Sequence, residues 1–166
     1  MIELSERQTA EFWHRSHASV DGLWFMKVEE KYGFDAALDI DEEVWKVLPK
    51  IQARMVKSMA ELEVGIDGLF EGLTTKLGLE GYAFEAERAG DGHGFTITLN
   101  TCPWHDLMIK SGRQALSHRI GTLICNIENS VWAAEFGEDI LFEAGDQICG
   151  GSKSCKLLFR NSANER

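Results

Sequence analysis

Four cysteines, Cys102, Cys125, Cys149 and Cys155, are the residues most able to do chemistry in this 166-residue chain, and all of them fall in its C-terminal part. Thiolates are soft anionic donors, and four of them complete a tetrahedral shell for Zn2+ or hold an iron–sulfur cluster. Each cysteine also falls at a junction that can converge on one end of a sheet. Cys102 opens a helix in NTCPWH, Cys125 lies in the helical segment ICNIEN, and Cys149 and Cys155 bracket the loop of a final hairpin. There is no CxxC pair, so three readings stay open: a zinc-like site, an iron–sulfur or redox thiol pair, or four small core residues with no metal.

Two further residues bear on the first reading. His105 lies one turn after Cys102, and Glu128 lies three residues after Cys125 on the same helix face. With one coordination position open, a metal-bound water would be the nucleophile and His105 or Glu128 its proton carrier, which is hydrolase chemistry. With all four thiolates bound, the site is closed and structural. Elsewhere His14, His17 and Asp21 can share a helix face able to hold a metal or an anion. Trp13, Trp24, Phe25, Met26, Trp45 and Met55 form an aromatic and Met-rich set that suits core packing or an apolar pocket. The GHG and GG pairs at 92–94 and 150–151 do not follow the strand–glycine loop–helix pattern of a phosphate site.

Charge and composition narrow the class. A formal net charge of −10 opposes binding to nucleic acid or to an anionic membrane surface, where Lys and Arg must neutralise phosphates. The opening residues MIELSERQTAEFWHR carry charges where a secretory signal needs an apolar run, and no segment approaches the length of a membrane span. A cytoplasmic protein is therefore expected, and free or metal-bound thiols rather than disulfides.

The elements that must position these groups are read from periodicity. Ser5 caps a helix starting at Glu6, with Phe12, Trp13, Val20, Leu23, Trp24, Val28 and Tyr32 as an apolar face and Gly33 as its stop. A turn-rich FDAALDID then leads to a helix capped by Asp41, with Val44, Leu48, Ile51, Met55, Val56 and Met59 facing inward and a break near Leu48 caused by Pro49. A third helix covers Ile66 to Leu77. YAFEAER and HGFTITLN alternate as a β-hairpin, residues 103–136 return to helical period with breaks at Gly112 and Gly121, and ILFEAGDQ and CKLLFRN form two more strands. The expected fold class is α+β, one domain over 1–166: 1–80 mainly helical, and 81–160 a β-hairpin, helices and a second hairpin carrying the cysteine site. The strands make an antiparallel four-stranded sheet packed against several helices.

The segments DGLWFMKVEEKYGFDAALDIDEEVW, CPWHDLMIKSGR, WAAEFG and CGGSKSCKLLFR resemble uncharacterised archaeal and bacterial proteins related to the 4-vinyl-reductase domain and to L-2-amino-thiazoline-4-carboxylic acid hydrolases. The resemblance implies the fold of small-ligand-binding domains in nitric-oxide signalling and Golgi-transport proteins, often dimeric. It also implies that Cys102, Cys125, Cys149 and Cys155 are metal ligands. The final loop departs from the usual pattern, with Lys153 and Ser154 where a Gly-Asp pair commonly precedes the last cysteine. The expected function is a zinc-binding domain for a small apolar molecule or a protein partner. The alternatives are a metal-assisted hydrolase of a small cyclic amide or thiazoline, and an iron–sulfur or redox protein.

Overall fold

A computed structural model describes residues 2–162. The chain divides into two compact units, residues 1–43 and 44–166.

The first unit opens on α1 (Glu6–Tyr32), closed at its start by a reciprocal capping box: the Ser5 hydroxyl accepts from Gln8 N at 3.3 Å and the Gln8 carbonyl accepts from Ser5 N at 2.9 Å. Gly33, at φ 90°, ends it as expected. The expected inward face of α1 is only partly present. Val28 is buried, and Asp21 and Phe25, seven and three residues before it, complete the less exposed side, with Phe25 meeting Phe34 edge-on at 5.9 Å. Trp13, Val20, Leu23 and Trp24, also expected inside, are more than half exposed. The FDAALDID stretch is also helical, as part of α2 (Phe34–Trp45), so Asp41 lies within that helix rather than at its start. Ala36, Ala37 and Leu38 favour helix strongly, and no Gly or Pro interrupts the run.

In the second unit the break falls at Lys46–Val47, and Pro49 occupies the first turn of α3 (Leu48–Ala60), where its missing N–H costs nothing. The buried seam of α3 is Pro49, Ala53 and the half-buried Val56. Ile51, Met55 and Met59, expected inside, are exposed. Ala53 explains the rotation, because a small side chain lets α3 lie close to α6 (Gln114–Phe136), to which Arg54 and Lys57 are fastened through Glu135.

α4 (Ile66–Leu79) contributes Leu69, Leu73 and Leu77 to the core. Strands β1 (Phe84–Arg88), β2 (Gly94–Leu99), β3 (Ile140–Ala144) and β4 (Cys155–Asn161) form an antiparallel sheet in the order β1-β2-β4-β3. The α+β class and the four-stranded antiparallel sheet expected from alternation are thus present. Phe95, Ile97, Phe159 and Leu157 point from the sheet to Trp132 and Phe136 of α6, and each large side chain fully removed from water contributes about 1.5–3 kcal/mol. Gly72 lets α4 approach α6, since a Cβ there would stand 2.9 Å from the Phe136 ring.

The crossover from β2 to β3 runs through α5 (Pro103–Lys110) and α6. Gly112, at φ 71°, separates the two helices as expected. The second expected break, at Gly121, is absent: α6 is continuous through it. No helix of the described residues is long and apolar enough to cross a membrane.

Candidate functional site

The β2–β4 register sets Leu99 opposite Cys155, so the exit of β2 toward Cys102 and the entry of β4 lie at one end of the sheet. Cys102 is the N-cap of α5, and its sulfur accepts from His105 N at 3.4 Å. The β3–β4 connection returns to the same end, with Gly145 N donating to Lys156 O at 2.8 Å, and folds a single 3-10 turn over Ile148–Gly150. The Cys155 sulfur fastens that turn by accepting from Ile148 N at 3.1 Å. Helix α6 runs beneath the turn and supplies Cys125. Gly121, one helical turn earlier, is where the turn presses on the helix: a Cβ there would lie 2.9 Å from Cys149 Sγ and 3.3 Å from the Trp104 ring. Gly121 therefore serves close approach rather than helix breaking.

All four cysteines are free and only partly buried. Burial is the first cause of a raised pKa at each, and charge on another cysteine adds to it: Cys155 acts on Cys102, Cys102 on Cys149, and Cys149 on Cys155. Cys125 is pushed up furthest, by burial, then by Glu128, then by all three other thiols. The four sulfurs thus share one electrostatic neighbourhood. They are not gathered to ligand distance: among the described residues no group of three or more His, Cys, Asp or Glu stands ready to hold a metal ion.

Two residues missing from the sequence reading complete this neighbourhood. The Tyr82 side chain lies beside Cys102 and acts to lower its pKa, and the Tyr82 hydroxyl is itself raised well above the ordinary value by burial, then by Cys102, Glu128 and Cys125. Lys76 is 7% exposed, with its Nζ 2.6 Å from Glu80 and 2.8 Å from Glu128. Burial pulls its pKa down, but the two carboxylates outweigh this and raise it. Lys76 sits in the last turn of an apolar helix, where a lysine is ordinarily a solvated dipole partner, so its type and place gave no signal of burial. Tyr82 stands just before an alternating strand and reads as a sheet residue.

The expected proton carriers are differently placed. Glu128 is committed to Lys76. His105 is 8% exposed, and its Nδ1 has no hydrogen-bond partner. Its ring lines a cavity of about 570 Å3 together with Cys149 and Ser117. His14, His17 and Asp21 form no metal-holding group. Burial raises the Asp21 carboxyl pKa and charge on His17 only partly offsets that.

A family profile matches residues 4–102, from the start of the chain through β2 to Cys102. The chain belongs to DUF6125, a family of unknown function. The matched span holds Tyr82, Lys76 and Cys102 but ends before Cys125, Cys149 and Cys155, so membership in DUF6125 assigns no role to those three thiols. No curated protein matches the chain.

Proposed function

We propose that Cys102, Cys125, Cys149 and Cys155 bind a soft metal, Zn2+ first among the candidates, in a domain that takes up a small molecule. The observation that carries this is the placement of the thiols: the Cys155 sulfur fastens the 3-10 turn that holds Cys149, and that turn presses on α6 one helical turn before Cys125. Charge on one thiol opposes charge on another, and the buried Lys76 is already held by two carboxylates. Such a set lacks positive charge, which a divalent cation supplies while driving the thiols to thiolates. Bound there, it would tie the start of α5, the middle of α6, the 3-10 turn and β4 together. For structural zinc, that linkage is on the order of 10 kcal/mol.

Three of the four ligands lie at points the backbone already fixes: an N-cap, a turn seated on Gly121 and the first residue of a strand. A ligand shell requires the thiols to leave the metal-free arrangement, in which no three such donors among the described residues stand together. A closed four-thiolate shell makes the metal structural. Glu128 as the base of a hydrolase would have to leave Lys76, so the geometry favours the structural reading over the hydrolytic one. Substitution of Co2+ under anaerobic conditions tests the shell: intense thiolate charge-transfer bands and a tetrahedral visible spectrum are expected, with the charge-transfer intensity reduced by about a quarter in Cys149→Ser. A pale six-coordinate spectrum would count against the proposal.

A further inference from the structure

The cavity beside Cys149 lies between the first turn of α5, the start of α6 and the 3-10 turn, entirely within the second unit. It holds about 570 Å3, within the range of small-molecule sites. Its lining has a definite chemistry. His105, Gln114, Ser117 and Ser152 offer hydrogen-bonding groups, Ile148 offers an apolar surface, and no lining residue is a carboxylate, an ammonium or a guanidinium. A charged ligand group taken from water into this space would find no carboxylate, ammonium or guanidinium in the lining to pair with. A purely apolar ligand would strand the polar lining.

His105 adds a vacancy in hydrogen bonding. The ring is held by burial at the cavity wall, and its Nδ1 is closed to solvent with nothing to pair with, a condition that native buried polar groups rarely sustain. Rotation about the Cβ–Cγ bond, a broad two-fold torsion in histidine, lets a ring nitrogen meet a group in the cavity. Ser117 is also prepared: its hydroxyl donates to Gln114 O at 2.8 Å and keeps its acceptor lone pairs.

We infer that this cavity binds a compact uncharged molecule bearing a hydrogen-bonding group, such as an amide, with that group paired to His105 and its apolar part lying over Ile148 and Cys149. This names the ligand class for the small-molecule part of the proposed function, on which it rests, and of the cavity walls only Cys149 belongs to the proposed metal site. One sulfur of the four, Cys149, lines it, so an occupied cavity also covers one side of the thiol neighbourhood.

The test uses the full chain as purified, with its metal content measured on the same samples, and 2-pyrrolidinone as the probe. The side-chain 15N resonances of His105 are followed during titration, with acetate and cyclopentane as a charged and an apolar control. A saturable His105 shift with the lactam, absent with both controls, is expected. Ser152→Phe, which fills the cavity from a half-buried loop position, should abolish it even where His105→Phe fails to fold. No saturable shift, an equal shift with cyclopentane, or a shift that survives Ser152→Phe would overturn the inference. Metal content separates the two claims: a metal-loaded chain with no lactam response sinks the cavity reading alone, and a metal-free chain with a saturable response sinks the metal reading alone.

Discussion

Gly121 of α6 lies directly against Cys149 of the 3-10 turn, so closely that a single methyl group on the glycine would stand 2.9 Å from the sulfur. Mid-helix glycine ordinarily costs about 0.5–1 kcal/mol relative to alanine, and here the close approach is what that cost secures. Gly121→Ala should therefore reverse the usual sign. Overpacking of about 1–3 kcal/mol outweighs the helical gain, leaving a net loss of about 1–2 kcal/mol in chemical denaturation. Metal affinity should fall as well, because the methyl displaces one sulfur. A stabilised variant with unchanged affinity would show that the turn does not bear on the helix.

Lys76 is the electrostatic hinge of the same region. Lys76→Met leaves Glu80 and Glu128 without their shared cation and should cost about 3–5 kcal/mol at neutral pH, whereas Lys76→Met combined with Glu80→Gln and Glu128→Gln should recover most of that loss. The pH dependence has a definite sign. The folded pKa of Lys76 is raised, so the folded state holds the proton more tightly than the unfolded chain does. Its stabilisation is complete below the unfolded value of about 10.4 and is lost as pH rises through the folded value. Denaturant midpoints from pH 7 to 11 check this: the wild-type midpoint should fall above about pH 10, and that part of the fall should vanish in the triple variant.

The tryptophans of α1 give a contrast between pattern and burial. Trp13 and Trp24 are 66% and 62% exposed, while Leu73 is 2% exposed. Trp13→Gln and Trp24→Gln should each change stability by no more than about 0.5 kcal/mol, and Leu73→Ala should cost about 2–5 kcal/mol. Equal losses at all three positions would mean that the α1 stripe is covered in solution.

These cases show what could be read in the sequence. Local signals acted locally: Ser5 capped a helix, Gly33 and Gly112 ended helices, Pro49 marked a break, and alternation gave the strands and their antiparallel pairing. Which side of a helix faces inward depends on what it meets. An apolar stripe on α1 and another on α3 therefore pointed in large part to faces that the packing leaves outside. Gly121 looked like a breaker because its partner, Cys149, is remote in sequence. Cys102 and Cys155 lie at one sheet end, as their junction positions suggested, but among the described residues the four thiols are not gathered into a metal-holding group, and Tyr82 and Lys76 come near them only through tertiary structure. Glu128 was noticed for its distance from Cys125, and its ion pair with Lys76 joins two helices that no sequence spacing relates.

The most direct measurement for the central claim is metal content and free-thiol titre on protein purified anaerobically, comparing the wild type with Cys125→Ser and Cys155→Ser. About one equivalent of metal in the wild type, lost in both variants although the thiols come from a helix and a strand, is the predicted result. Zinc held by all four thiolates would make the site structural, and iron with visible absorption would replace zinc with a cluster. Four freely titratable thiols in a folded, metal-free wild type would contradict the account.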